Sequence, residues 1–314
     1  MTAPSRSMTE PGSSLSLPVP ELGVVGWPLK RTFSPPMQQC ALRHAGLEWS
    51  YGALAVPPDE IDRFLSVEAA LMRGFNVTMP YKRAVQAECF WLDELSRVSG
   101  TVNTVVVEDG PAPGAAPGAV PRLRGYNTDA PGLLSALDAG AGFSAAGSSV
   151  LILGAGGAAS ACAAAMGKSG ATAVTVANRT VSHAVTLAAQ MAAPFPKTLW
   201  SALPLDRPGA LSPGWPRRSG FDLVVNCIPE EHSSPLAAVL ANLGGHSTVF
   251  CDLAYGEAPT GLITAARGLG MRVVSGLDVL LWQGALAFEI FTGRTAPVEV
   301  MREALTGVAG RWWL

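Results

Sequence analysis

Apolar residues run through this chain in short bursts, and the bursts change character near its middle. In the first part, "LGVVGWPL" (22–29) is a buried-strand pattern stopped by Gly26 and Pro28, and Pro35 then opens "PMQQCALRHAGL" (36–47), spaced as a helix. "WSYGALAV" (49–56) predicts a second strand. "DEIDRFLSVEAALM" (59–72) predicts a helix, with apolar residues at three- and four-residue steps, and "GFNVTMP" (74–80) a strand closed by Pro80. "TVNTVVVE" (101–108) is a further strand, followed by a Pro/Gly-rich hairpin insert, 109–122, that leads into "LRGYNTD". From Ser148 onward four short apolar runs, "VLILG", "AVTVANR", "FDLVVNCIP" and "TVFCDLAY", alternate with helical or turn-rich stretches, which predicts a parallel sheet with crossover helices. A second Pro/Gly-rich excursion, 204–220, interrupts them. The nearly all-apolar helix "SGLDVLLWQGALAFEIFTG" (275–293) carries Gln283 near its middle, and that amide needs a partner.

Composition narrows the function classes. A chain of 314 residues holds two domains or one large one, and 48% hydrophobic against 15% charged residues describes a globular protein with ample core. The net charge is −2 and the arginines are scattered, so no basic face for nucleic acid is expected. No apolar run is long enough for a membrane span, and the Ser/Pro-rich residues 1–22 read as a flexible tail without a signal-peptide core, so a cytoplasmic setting is expected. Five widely spaced cysteines fit reduced, mostly buried thiols better than a disulfide frame or a zinc cluster.

Two stretches carry chemistry. "VLILGAGGAASA" places Gly154, Gly156 and Ala159 in G-x-G-x-x-A spacing between a strand and an Ala-rich helix. There Gly154 permits a tight turn, Gly156 lets the backbone approach a pyrophosphate, and the helix N-terminus offers unpaired N–H groups. An NAD reader places an acid about 20 residues later to hold the ribose 2′-OH. Here the next strand ends instead in Asn178-Arg179-Thr180, whose guanidinium and hydroxyl suit a 2′-phosphate, so NADP is the expected cofactor. The second stretch is "GFNVTMPYKRAV" (74–85), an apolar run holding Asn76, Thr78 and Lys82 in a chain with only four lysines.

Several motifs together resemble the shikimate dehydrogenase family. "GWPLKRTFSPPMQ", "GFNVTMPYK", "GTVNTV", "GYNTD", "GAGGAA" with "NRT", "DLVVN", "CDLAY" and the 275–293 helix occur in the family's order over about residues 23 to 305. The resemblance implies an α/β fold of two domains, with a flexible tail 1–22, a substrate-binding domain 23–128, a Rossmann NADP domain 129–275, and C-terminal helices 276–314 returning to the first domain. It implies reversible NADPH-dependent reduction of 3-dehydroshikimate to shikimate, with Lys82 and Asp129 as the catalytic pair. Thr32 and Ser34 would bind the substrate carboxylate, and Asn76, Thr78, Asn103, Tyr255 and Gln283 the rest of the substrate. Gly154, Ala155, Gly156, Gly157, Ala158, Asn178, Arg179, Thr180, Asn226 and Gly276 would contact the cofactor. A monomer or homodimer with only small-molecule partners is expected, with no metal, since His44, His183, His232 and His246 fall outside every motif.

Plain readings stand beside these. A lysine after a strand is usually solvated, an Asp after Asn-Thr is usually a helix cap, and a glutamine in an apolar helix often satisfies a backbone carbonyl. The chain also departs from the family pattern: Arg31-Thr32 replaces His-Ser, Gln38 a histidine, Cys227-Ile228-Pro229 follows Asn226 in place of Ala-Thr-Ser, and Asp278-Val279 replaces Gly-Met. These changes keep a quinate or aminoshikimate dehydrogenase open as an alternative. A noncatalytic shikimate or nucleotide sensor is the alternative from another class.

Overall fold

A computed structural model describes residues 19–29, 32–108, 121–205, 220–233, 236–237, 240–310 and 313. Residues 1–18, Arg31 and most of the two inserts, 109–120 and 206–219, lie outside the described residues.

The first half holds β1 (Leu22–Gly26), α1 (Ser34–His44), β2 (Tyr51–Ala55), α2 (Ile61–Arg63), β3 (Gly74–Val77), α3 (Lys82–Glu88), β4 (Trp91–Leu92), α4 (Glu94–Ser99), β5 (Thr104–Glu108), β6 (Arg122–Tyr126) and α5 (Asp129–Ala141), of which α3, β4 and α4 answer to no run singled out in the sequence. Its strands form a mixed sheet in the order β2-β1-β3-β5-β6-β4, with β1 parallel to β2 and β3, and β5 antiparallel to both β3 and β6. The β5–β6 pair is the predicted hairpin.

One expected helix is not continuous. Over 59–72 only Ile61–Arg63 is α-helical, with a wider π turn at Phe64–Glu68 and a 3₁₀ turn at Ala69–Leu71. The apolar stripe survives in buried Ile61, Phe64, Leu65, Ala69 and Met72. Widening the turn brings the half-exposed Arg63 to 3.0 Å from the buried carboxylate of Glu68, five residues on, a partner that regular α spacing would not align.

The second half holds β7 (Ser149–Leu153), α6 (Gly157–Lys168), β8 (Ala173–Asn178), α7 (Val181–Ala192), β9 (Leu199–Pro204), β10 (Leu223–Asn226), α8 (Glu230–Ser233), β11 (Val249–Asp252), α9 (Gly261–Gly268) and β12 (Arg272–Val274). All its pairings are parallel, in the order β12-β11-β10-β7-β8-β9, the doubly wound arrangement that opens a crevice at the strand ends where the order reverses, between the paired β7 and β10. Val150 to Leu153 are fully buried, which is why the run reads as unbroken hydrophobic rather than alternating.

Two last helices, α10 (Gly276–Thr292) and α11 (Val298–Ala309), pack back on the first sheet. Leu281, Phe288, Met301 and Leu305 share one core with Leu22, Val24, Met37 and Leu42. Gln38 fastens this core, donating from Nε2 to the Gly284 carbonyl at 2.8 Å. Helix α5 also crosses α10 closely, because Gly132 has no Cβ to meet the Gln283 backbone; one placed there would lie 2.6 Å from its nitrogen. This crossing brings the N-terminus of α5 and the middle of α10 to one place.

Candidate active site between the two sheets

Two adjoining cavities occupy the cleft. One, of about 230 Å³, is lined by Thr32, Ser34, Asn76, Thr78, Lys82, Asn103, Asp129, Tyr255 and Gln283, together with apolar side chains such as Leu133 and Leu280. The other, of about 470 Å³, is lined by the 154–158 loop, Asn178, Cys227, Ile228, Pro229 and, from the first sheet, Thr78 to Pro80, Lys82 and Arg83. Thr78, Lys82, Ala158 and Leu253 belong to both, so the cavities meet at Lys82.

Lys82 opens α3, just after the turn that ends β3. That turn is held by Tyr81, whose hydroxyl donates to the Val56 carbonyl at 2.5 Å, and by the Lys82 carbonyl, which accepts from Val102 N at 2.9 Å. Lys82 Nζ donates to Asp129 Oδ2 at 2.6 Å, with both side chains about one-fifth exposed. Lys82 is therefore not a solvated surface cation. Nor is Asp129 a helix cap: Thr128 is the N-cap residue of α5, and Asn127 Oδ1 takes the Ala130 N–H instead. The second oxygen of Asp129 accepts from Asn103 Nδ2 at 2.8 Å, which aims the carboxylate at the lysine.

Asn103 lines the cavity, yet its amide is committed inside the wall. Its Oδ1 accepts from Thr128 N and Thr104 Oγ1, while its Nδ2 serves Thr128 Oγ1, Asp129 and, at 3.3 Å, Gln283 Oε1. The long bond to Gln283 is the one a ligand would replace most cheaply. Gln283 donates from Nε2 to the Leu280 carbonyl, as its plain reading expects, and its side chain also lines the cavity. Asn76 is buried on β3 and shares Thr104 with this network. Thr78 fits beside β1 only because Gly26 lacks a Cβ, which would stand 2.3 Å from the threonine methyl.

At the other end of the cavity Thr32 Oγ1 accepts from Ser34 N at 3.3 Å and is hydrogen-bonded to Tyr255. Pro35 and Pro36 at the first positions of α1 leave this N-terminal turn with fewer N–H groups to satisfy. Burial holds the Tyr255 phenol above its ordinary value against the lowering effect of Thr32, and the hydroxyl-bearing Thr32, Ser34 and Tyr255 all line the one small cavity.

In the larger cavity the turn between β7 and α6 presents glycines and alanines. Gly154 sits at φ +108°, which a side-chain-bearing residue rarely adopts, and a Cβ on Gly156 would meet nothing within 4 Å, so the cleft face of that turn is open. Gly156 caps α6 without any side-chain hydrogen bond, which leaves first-turn N–H groups for another acceptor, and Gly156, Gly157 and Ala158 line the cavity, as an anion site requires. The residues present therefore fit a dinucleotide. Asn178 lines the same cavity, donating to the Thr180 carbonyl at 2.9 Å, and Arg179 and Thr180 stand exposed just beyond it.

Two residues expected at the cofactor, Asn226 and Gly276, do not line the larger cavity. The side chain of Asn226 is fully buried, donating to Asp252 Oδ1 and the Ile228 carbonyl and accepting from Ile228 N, so it shapes the turn below the cavity instead of reaching into it. Gly276 borders the substrate-side cavity, where its missing Cβ lets α10 approach the Leu253 carbonyl, 2.6 Å from the position a Cβ would take. Leu133, Cys162 and Leu280 in the small cavity and Met79 and Arg83 in the large one extend the lining beyond the residues the motifs single out. Met79 and Arg83 flank Lys82 and were open to notice; the apolar residues read as ordinary core.

Comparison with known proteins relates the chain to one family over most of its length. A shikimate dehydrogenase substrate-binding domain matches residues 24–105, a shikimate/quinate 5-dehydrogenase domain residues 139–203, and a shikimate 5′-dehydrogenase C-terminal domain residues 276–306. The shikimate dehydrogenase (NADP(+)) of Geobacter sp. strain M21 is 37% identical over 90% of this chain and 93% of its own length. The shikimate 5-dehydrogenase of Thermus thermophilus, solved in complex with NADP(H) and shikimate, superposes with a TM-score of 0.72 at 34% identity, covering 90% of this chain and 97% of its own. The ligand-free 5-ketofructose reductase of Gluconobacter sp. strain CHM43 superposes with a TM-score of 0.74 at 29% identity, over 91% and 97% of the two chains.

Proposed function

Because this chain belongs to the shikimate dehydrogenase family, we propose that it interconverts 3-dehydroshikimate and shikimate as an NADP-dependent oxidoreductase acting on a CH–OH group. The observation that carries the reading is the Lys82–Asp129 pair, held at 2.6 Å at the junction of the two cavities. NADPH, when bound, supplies the reducing equivalent, and the residues fitted to hold it are the 154–158 loop, Asn178 and Arg179. Reduction of a ketone leaves negative charge on its oxygen. The Lys82 ammonium neutralises that charge as it grows and then gives up a proton from Nζ; in the reverse direction Nζ takes the hydroxyl proton. Asp129 keeps the ammonium oriented and is itself steered by Asn103. Thr32, Ser34 and Tyr255 offer hydroxyls to a carboxylate, and the apolar lining around Leu133 and Leu280 keeps water off the pair.

A place in aromatic amino-acid synthesis and a cytoplasmic setting complete the reading, supported by five cysteines that are all free thiols. A related polyol acid such as quinate is the second reading. It is favoured by Thr32, whose hydroxyl is already engaged by Tyr255, and by a structural relative that acts on 5-ketofructose. Initial rates with shikimate and quinate, each with NADP and NAD, decide among these. The expected result is fastest oxidation of shikimate with NADP. Arg179→Ala should then raise the KM for NADP by about 10- to 100-fold and leave that for NAD almost unchanged, since a charge-assisted contact is worth about 1.5 to 3 kcal/mol. Binding without turnover in every combination would leave a sensor.

A further inference from the structure

Resting on the reading of this cavity as a shikimate site, we infer that Tyr51, outside the cavity, is a positioning residue that makes Asn76 an acceptor dedicated to one substrate hydroxyl. Tyr51 begins β2, buried at 6% exposure, and its main chain is pinned by Gln39 Oε1, which accepts from Tyr51 N at 2.9 Å. Its phenol donates to Asn76 Oδ1 at 2.7 Å. The Asn76 amide spends both N–H bonds inside the wall, on the Asn103 carbonyl at 3.1 Å and on Thr104 Oγ1 at 2.9 Å. An amide has two donors and two acceptor positions. Three of the four are occupied, and the one left is the second lone pair of Oδ1.

Asn76 therefore offers a ligand an acceptor and no donor. A ligand hydroxyl satisfies it; a ketone, ether or carboxylate oxygen in the same place faces a lone pair and repels it. Burial and the neighbouring Tyr255 hold the Tyr51 phenol far above its ordinary value, so it stays a donor throughout the neutral range. The residue acts through Asn76 and reaches neither the Lys82–Asp129 pair nor the cofactor cavity.

Tyr51→Phe removes one oxygen and keeps the ring. It should raise the KM and dissociation constant for shikimate about threefold to tenfold, as expected for one lost neutral hydrogen bond. The kcat should stay within about twofold, with NADP binding unchanged. Analogues of shikimate lacking one ring hydroxyl at a time supply the discriminating readout. For the hydroxyl that meets Asn76, the variant and the analogue should lose far less together than the product of their separate losses, while the other analogues multiply. 4-Aminophenylalanine at position 51, which returns a donor to the same ring position, should recover most of the affinity. Unchanged affinity, an equal loss on every analogue, or a collapse of kcat at constant KM would each overturn the inference. A wild-type chain inert toward shikimate refutes the functional reading and the inference with it, whereas an active wild type with an unaltered Tyr51→Phe refutes the inference alone.

Discussion

The two walls of the cleft are built by opposite means. On the substrate side, polar side chains hold one another: Asp129 is aimed by Asn103, Asn103 by Thr128 and Thr104, and Asn76 by Tyr51. On the cofactor side, the lining is a turn of glycines and alanines that leaves its backbone N–H groups open. The difference follows from what each wall must recognise. A small ring with several hydroxyls is told apart only by fixed donors and acceptors, whereas a pyrophosphate is met by a helix N-terminus and the absence of obstructing side chains. Substitutions should therefore fail differently on the two walls, through lost chemistry on one and through added bulk on the other.

Lys82→Ala gives the largest contrast. It should lower kcat by about 10² to 10⁴ while substrate and NADP affinities change much less, because the group is needed where charge develops. Asp129→Asn should be similarly impaired, since the lysine loses the anion that orients it. The double variant should be far less than multiplicatively worse, as the two act as a unit. Near-normal turnover by Lys82→Ala in steady-state assays would return Lys82 to a structural role.

Paired glycine substitutions separate bulk from chemistry. In Gly132→Ala the new methyl meets the Gln283 backbone, so the α5–α10 crossing must open, at about 1 to 3 kcal/mol of stability. Asp129 and Gln283 move with it, and activity should fall too. In Gly156→Ala the methyl meets nothing and the backbone, at φ −83°, tolerates it, so thermal unfolding should be unchanged. The methyl does stand where a pyrophosphate must approach, and NADP affinity should drop about tenfold or more. Calorimetry of unfolding and NADP titration on both variants check this. A destabilised Gly156→Ala with intact NADP binding would reverse the roles of the two glycines.

Much of this arrangement was legible in the sequence, and the gaps have physical causes. Lys82, Asn76 and Thr78 stood out because polar residues interrupted an apolar run, and the glycine loop because strand and helix flanked it. The doubly wound sheet followed from β7, β8, β10 and β11. Elements too short to show a period escaped: α3 and α4 with seven and six residues, β4 with two, β12 with three. The broken helix at 61–71 kept its apolar stripe, so spacing could not reveal the wide turn. Tyr51 looked like any strand aromatic, because its role depends on a bond to a residue 25 positions away. Asn226 misled in the opposite sense: an asparagine at a strand end reads as exposed, and here it lies under the turn it supports.

That buried asparagine belongs to the one side-chain network beneath the cofactor wall that, among the described residues, carries a carboxylate, and it gives the smallest expected effect. Asp252, at the end of β11, accepts from Asn226 Nδ2 at 2.8 Å, Thr260 Oγ1 at 2.6 Å and Ala254 N at 3.1 Å. Burial pushes its carboxyl above the ordinary aspartate value, and these hydrogen bonds offset only part of that rise. The folded chain thus holds this proton more tightly than the unfolded chain does. The resulting stability is fully present below the unfolded carboxyl range, near pH 4, and is lost as pH rises through the folded value. Asp252→Asn keeps the shape and removes the titration. Its oxygen can still accept from Asn226 and Ala254, and the Thr260 hydroxyl can turn to accept from the new amide. Denaturant midpoints of both proteins from pH 4 to 7 should show the variant gaining on the wild type as pH rises, with kcat little changed. A stability difference flat across that range would mean that Asp252 is ionised in the folded chain at no cost, its hydrogen bonds to Asn226, Thr260 and Ala254 fully offsetting burial.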